Sequence, residues 1–258
     1  MSAAEQLLRC PIDGALFGRS VGGGLSCAEG HRFEARDGVV DFGPPSPRFN
    51  FERWAPVYDV LFPWLVLRRL FGVSSRDLVR LHERALEAAR GGAVLDAACG
   101  SGLFSLPAVH RAGAAAFVGV DLARRMLAEA RRRAGRLRVE ALLVRGDACD
   151  LPLRGGVIDV AIMSLGLQFV PERGRCLAEL RRVLRVGGRF FGAAPALGLW
   201  PRYDRRHARR ARKDFPLDRD RFAGELAAAG FREVRLEARG ALLVWEATAA
   251  EGGAVVPP

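Results

Sequence analysis

Half of the 258 residues are hydrophobic, and the formal net charge is +11. A chain of this length buries one large core with a small appendage, and its apolar run Val57 to Leu67, interrupted by Asp59 and Pro63, is too short for a bilayer of about 30 Å, which excludes a spanning segment there. The charge invites a nucleic-acid partner, yet nearly all of it is arginine, with Lys213 the sole lysine, so it reflects a coding bias as much as a binding surface.

The start, Met1-Ser2-Ala3-Ala4-Glu5-Gln6, lacks a basic segment followed by a long apolar one, so no signal peptide is expected and the location expected is cytoplasmic. Next come Cys10-Pro11-Ile12-Asp13-Gly14 and Cys27-Ala28-Glu29-Gly30-His31. Two close pairs of ligand types across a glycine-rich span are how a zinc ribbon closes a tetrahedral site on two turns. A module this small needs metal because it buries too little core. Cys10, Asp13, Cys27 and His31 are therefore the candidate zinc ligands, although structural zinc sites prefer sulfur and nitrogen to the oxygen of Asp13. The alternative is a ribbon that has lost its metal, keeps its turns and buries Cys10 and Cys27 as small apolar residues. A disulfide between them is disfavoured in a reducing cytosol.

Gly43-Pro44-Pro45-Ser46-Pro47 opposes helix and strand alike and marks a boundary. Beyond it, Phe49, Phe51, Trp54, Tyr58, Phe62, Trp64 and Phe71 form an aromatic-rich helical stretch, bent near Pro56 and Pro63. Aromatic residues at helical spacing are most simply core; another reading rests this face, with Arg68 and Arg69, on a membrane surface. A helix is expected from Ser74 to Arg90, capped by Ser75 and stopped at Gly91-Gly92.

The next stretch is the most informative: Val94-Leu95-Asp96-Ala97-Ala98-Cys99-Gly100-Ser101-Gly102, an apolar strand that ends on an acid and turns through small residues into a helix. Small side chains let backbone amides approach an anionic or polar cofactor. Phe117-Val118-Gly119-Val120-Asp121 is a second such strand, its acid suited to the two hydroxyls of a ribose, and Leu142-Leu143-Val144-Arg145-Gly146-Asp147-Ala148 is a third. Val157 to Ser164 and Leu180 to Phe190 complete the ordered run. Helices are expected at 103–111, 123–134, 171–184 and 218–229. Such alternation predicts a parallel sheet covered on both faces. The closing strands, 231–236 and 241–248, are near enough to form a hairpin and hence one antiparallel strand. Taken singly, a Gly-x-Gly turn is only a strand-to-helix connection and a strand-end Asp only a cap; three of them in order are not explained that way.

This ordered set, over roughly residues 91–195, resembles the class I S-adenosylmethionine-dependent methyltransferases. The resemblance implies an α/β, Rossmann-like fold whose seven-stranded, mostly parallel sheet has one antiparallel strand. Three regions are expected: a zinc-ribbon-like segment at 1–43, a helical lid at 49–90 and the methyltransferase domain at 91–250. Carried across, Asp96, Gly100 and Gly102 match the motif that binds the methionine end of the cofactor. Asp121 matches the ribose-binding acid with Leu122 beside the adenine, Asp147 and Ala148 match the adenine-contacting pair, and Ser164 lies between cofactor and substrate. Ala98 replaces the first glycine of the usual Asp-x-Gly-x-Gly-x-Gly, a tolerated variant unless that residue needs positive φ. In the family the segment before the first strand commonly closes over the cofactor, which places Tyr58 near the reacting centre.

Methyl transfer is an in-line displacement that needs alignment more than acid–base machinery. No catalytic base is assigned: Tyr203 and His207 lie in a basic segment and Tyr58 in the aromatic stretch, while His110, Cys99, Cys149 and Cys176 read as structural. Met163-Ser164-Leu165-Gly166-Leu167-Gln168-Phe169-Val170 resembles the quinone-biosynthesis C-methyltransferases and their small-molecule relatives, and lacks the Asn-Pro-Pro-Tyr type of motif found in many amino-N methyltransferases. A small or lipophilic acceptor is therefore expected. An RNA acceptor is the alternative, since the first segment resembles the zinc ribbon of ribosomal RNA guanine-N1 methyltransferases (there usually Cys-x-x-Cys, here with Asp13) and Arg202, Arg205, Arg206, Arg209, Arg210, Arg212 and Lys213 crowd one segment. A non-catalytic cofactor-binding partner protein is a third possibility, against which stand Asp96, Gly100 and Gly102 in the first motif.

Overall fold

Strands that are apolar at every position must be covered on both faces, and this requirement organises the chain. The computed structural model describes residues 1–19, 24–43, 55–199 and 217–251. Phe49, Phe51, Trp54, most of the proline-rich boundary, the 202–213 basic segment with Tyr203 and His207, and the closing residues 252–258 lie outside the described residues. Seven strands form the expected core: β6 (Ala93–Ala97), β7 (Ala116–Asp121), β8 (Leu142–Arg145), β9 (Ile158–Ser164), β10 (Leu184–Pro195), β11 (Phe231–Arg239) and β12 (Leu242–Ala249). The sheet order is β11-β12-β10-β9-β6-β7-β8, and β12 alone among these runs antiparallel, pairing β10 on one side and β11 on the other.

The helices divide between the two faces. One face is covered by α2 (Ser75–Ala89), α3 (Ser105–Ala112) and α4 (Arg124–Leu137), whose Leu78, Ala85, Leu106, Leu127 and Ala130 join one hydrophobic cluster with Val94 and Val160. Under the other face lie α5 (Arg173–Val183) and α6 (Arg219–Ala228) with Leu177, Leu180, Phe222 and Leu226. Trp245 is the largest fully buried side chain there and meets Phe222 edge-on at 5.0 Å. It fits because Gly192 lies beneath it; a Cβ at that glycine would stand 2.2 Å from the indole. The cap of α2 is Ser74 rather than Ser75: its hydroxyl accepts from the Asp77 amide while the Asp77 carboxylate accepts from the Ser74 amide, a reciprocal pair that Ser75 is one residue too late to make.

Chain order and sheet order part company at β6. From β6 the chain steps outward to β7 and β8, then crosses back to place β9 on the other side of β6. Crossovers leaving in opposite directions open a crevice at the carboxyl ends of β6 and β9, the position where such sheets bind ligands.

The amino-terminal segment adds to this sheet. Its β1 (Phe17–Arg19), β2 (Leu25–Cys27) and β3 (Arg32–Phe33) make a small antiparallel sheet, whereas β4 (Ala35–Arg36) and β5 (Val39–Asp41) continue the large one to nine strands, β5 lying parallel to β8. Without β5, the apolar strand β8 would present an open edge. Phe17, Phe33 and Phe42 fill the junction with ring centroids 4.7 to 5.6 Å apart.

After residue 54, helix α1 (Ala55–Leu61) runs directly into a π-helix, Phe62–Phe71. Pro63 occurs in its first turn, where a missing amide is harmless, and Gly72 ends it at φ +68°. The chain therefore continues helical through Pro63 instead of breaking.

Candidate functional site

The turn after β6 is tight. Ala98, Gly100 and Gly102 all have positive φ (61°, 55° and 64°), the left-handed region in which a Cβ crowds the backbone. Alanine at 98 is thus more than a neutral variant; it is held at some cost. The turn closes through Cys99 N–H to the Val120 carbonyl (3.0 Å) and Gly102 N–H to the Cys99 carbonyl (2.9 Å). The Ala98 methyl is accommodated by Gly166, where a Cβ would stand 2.5 Å from it.

Asp121 fastens this turn to its neighbour. At the tip of β7, its Oδ2 accepts from the Gly100 amide and its Oδ1 from the Ala123 amide, both at 2.8 Å. Two backbone donors fix the carboxylate plane. A carboxylate held at that position suits a pair of hydroxyls.

Around this turn lies a cavity of about 370 Å³. Ala98, Gly100, Asp121, Leu122, Asp147, Ala148 and Ser164, all expected from the sequence, line it. Asp96 and Gly102 do not: Asp96 is buried behind the turn, and a Cβ at Gly102 would stand 2.4 Å from the Leu106 side chain. Ser164 Oγ is buried and has no hydrogen-bond partner among the described residues. Nothing lies within 4 Å of where a Gly100 Cβ would be, so its backbone is open to close approach. Met163, Phe169 and Val170 contribute apolar side chains to its lining.

The lid position is occupied by α1. Tyr58 lines the cavity and stacks on Phe62 at 4.5 Å between ring centroids. The next residue, Asp59, accepts from Ser101 Oγ at 2.6 Å and pairs with Arg133, which also donates to the Ser101 carbonyl. One carboxylate therefore ties the lid to the glycine turn. Neither Asp59 nor Arg133 was singled out by the sequence; the only signal was an acid inside an otherwise apolar helical stretch. Glu172 and Arg175, at the start of α5, also line the cavity without any motif to announce them.

Burial dominates the site's electrostatics. Desolvation, with the neighbouring charge of Asp121, pushes the Asp96 carboxyl up to about 7. The Tyr58 hydroxyl is pushed up by burial, then by the charges of Asp121 and Asp59. Burial likewise raises the Cys99 thiol, helped by Asp96 and Asp121.

A second cluster stands apart from the cavity. Ligand atoms of Cys10, Asp13, Cys27 and His31 all lie within 4.8 Å of one another, as the sequence spacing predicted. His31 Nδ1 is 3.0 Å from Asp13 Oδ2, 3.3 Å from Cys27 Sγ and 3.7 Å from Cys10 Sγ. Cys27 Sγ is 3.2 Å from Asp13 Oδ2.

Comparison with known proteins accords with this geometry. A methyltransferase-domain family model matches residues 95–192. The demethylmenaquinone methyltransferase of Thermus thermophilus is 37% identical over 139 residues, 54% of this chain and 61% of that protein. A malonyl-[acyl-carrier protein] O-methyltransferase of Geobacter sulfurreducens is 35% identical over 203 residues, 73% of this chain and 71% of that protein. The chain belongs to the class I S-adenosylmethionine-dependent methyltransferases. A solved S-adenosylmethionine-dependent methyltransferase from Aquifex aeolicus has the same fold, with a TM-score of 0.56 and 18% identity over 76% of this chain and 98% of that one. This methyltransferase chain spans about three fifths of the length of its Thermus relative.

Two outcomes follow from the turn. Ala98→Gly is expected to stabilise the protein by about 1 kcal/mol by removing a left-handed alanine, which for a chain this long raises the melting temperature by about 2–4 °C; a melting curve that does not move counts against the strain. Because the folded chain keeps the Asp96 proton after the unfolded chain has lost it, that group's stabilisation is complete below about pH 4 and is lost as pH rises through about 7. Asp96→Asn should accordingly match the parent in urea melts near about pH 4 and exceed it near about pH 8; a pH-independent difference would show that Asp96 is not protonated when buried.

Proposed function

We propose that this chain transfers a methyl group from S-adenosylmethionine to a small, lipophilic acceptor. The observation that carries the reading is the Asp121 carboxylate, fixed by two backbone amides beside the cavity at the switch-point crevice, where an acid suits the ribose hydroxyls. Asp121 binds the ribose, Leu122 and Ala148 flank the adenine, Asp147 lies beside Ala148, and the Gly100 backbone meets the methionine end, while Asp96 and Gly102 support the turn from behind. The orphaned Ser164 Oγ and the open face of Gly100 fit a polar ligand. When bound, the cofactor supplies an electrophilic methyl on a sulfonium.

The chain's own contribution is alignment and exclusion of water. Tyr58 closes the cavity from α1; Asp59 keeps that helix there through Ser101 and Arg133. Met163, Phe169 and Val170 offer an apolar seat to the acceptor. The two relatives named above act, by their names, on demethylmenaquinone and on malonyl-[acyl-carrier protein], and the apolar lining supports an acceptor of the first kind. A cytoplasmic setting agrees with five cysteines that are all unpaired, and among the described residues no helix is long and apolar enough to cross a membrane.

Zinc at Cys10, Asp13, Cys27 and His31 completes the proposal. Tetrahedral zinc with bonds of about 2.0–2.3 Å sets its ligand atoms roughly 3.3–3.8 Å apart, close to the 3.0 to 3.7 Å of four of the six ligand pairs here, all of which lie within 4.8 Å. The site is also wired to the cavity. Ahead of Cys10, Leu7 and Arg9 exchange backbone hydrogen bonds with Arg154 and Pro152; beyond His31, Phe42 N–H donates to the Arg145 carbonyl and Asp41 pairs with the Arg145 guanidinium. Arg145 in turn donates to the Leu122 carbonyl. The two arms leaving the cluster thus grip both ends of residues 145–154, the loop that carries Asp147 and Ala148.

Asp121→Ala is expected to weaken S-adenosylmethionine binding in calorimetry by about 10- to 100-fold, the scale of hydrogen bonds to a charged group, with a melting curve taken alongside; unchanged affinity overturns the site. Labelled-methyl transfer to a lipid extract but not to total RNA is the expected activity. Elemental analysis should find one zinc per chain, and stripping it with a chelator should lower both the melting temperature and the cofactor affinity; a metal-free preparation of equal stability would refute the site.

A further inference from the structure

Helix α1 and the π-helix after it are apolar on both sides. Leu67 and Phe71 are buried against the domain. Val60 (74% exposed), Trp64 (62%), Leu61 and Leu65 (47% each) and Leu70 (44%) are turned outward. A surface helix in water ordinarily carries its charges on that side. Here the exposed charges are Arg68 and Arg69, and the Arg69 guanidinium lies 5.9 Å from the centre of the Trp64 ring. The sole acid of residues 55–71, Asp59, is turned inward to Ser101 and Arg133. The outer face is therefore apolar with only positive charge.

We propose that this face docks on an anionic lipid bilayer. Tryptophan ringed by aliphatic side chains, with arginines beside it, matches the boundary between headgroups and acyl chains, where the indole sits at headgroup depth and guanidinium groups meet phosphates. The helix is too short to span, so it lies in the interface plane. Charge decides against a neutral surface: two arginines and no outward acid gain from anionic lipid. The docked helix is also the lid. Tyr58, stacked on Phe62, faces the cavity from the same helix that presents Trp64 to the outside. An acceptor dissolved in the bilayer would meet the cavity at the lid's edge, beside Phe169, itself 40% exposed. That route rests on the proposed function; the docking does not.

The test is co-sedimentation of the full chain with phosphatidylcholine vesicles, with and without phosphatidylglycerol. Binding to the anionic vesicles is expected at low salt, about tenfold or more above the neutral ones, and it should fall as salt is raised. The double variant Trp64→Ser/Leu65→Ser should lose binding to both; Arg68→Gln/Arg69→Gln should reduce anionic vesicles to the level of neutral ones. Calorimetry with S-adenosylmethionine on the same variants is expected to give the parent affinity, since none of the four residues lines the cavity. No binding to anionic vesicles at low salt overturns the proposal, as does equal binding by the Trp64→Ser/Leu65→Ser variant. A concentration-dependent dimer that this variant dissolves, seen by light scattering, would assign the face to a second copy instead and likewise overturn it. Failure of the parent chain to bind S-adenosylmethionine would strike the proposed function and leave the vesicle result standing.

Discussion

The cavity depends on a single carboxylate. Asp121 joins the turn after β6 to the start of α4 by accepting from Gly100 and Ala123 at once, so two connections from adjacent strands hold one geometry before any ligand arrives. Preorganisation of this kind spares binding the ordering of a mobile loop. Asp96 stands buried behind the same turn, and that burial, with a smaller contribution from the Asp121 charge, raises its carboxyl.

Around this centre the chain repeats one device, an acidic side chain that anchors a peripheral element to the cavity wall. Asp59 ties the lid to Ser101 and Arg133; Asp41 ties the amino-terminal segment to Arg145, whose guanidinium is nearly buried and reaches the Leu122 carbonyl. A buried arginine left without its acid is costly, so these pairs set the position of lid and segment more firmly than surface ion pairs would. The ribbon-like segment is thereby part of the cavity wall's support as well as a candidate metal module.

Much of this was legible in the sequence. The apolar runs leading to Asp96, Asp121 and Asp147 pointed to the parallel sheet, because burial on both faces leaves a continuous apolar stretch, and the family resemblance added seven of the cavity's lining residues, Ser164 after β9 among them. The Cys10, Asp13, Cys27 and His31 spacing likewise predicted a cluster that the fold assembles. The extension of the sheet by β4 and β5 was not legible: strands of two and three residues are too short to show a period. Nor was the role of Asp59, since its partners are 42 and 74 positions away in the chain. The conformation at Ala98 was hidden for a different reason. Backbone dihedrals are set by the surrounding turn, and an alanine in the letter sequence does not announce a left-handed φ.

The fit between Ala98 and Gly166 ties two distant codons together. With a methyl at 98, the Cα of residue 166 has no room for any side chain; a glycine at 98 would free it. Any side chain at 166 therefore requires the methyl at 98 to be removed or displaced, so the contour of one cavity wall is set by a residue of the other.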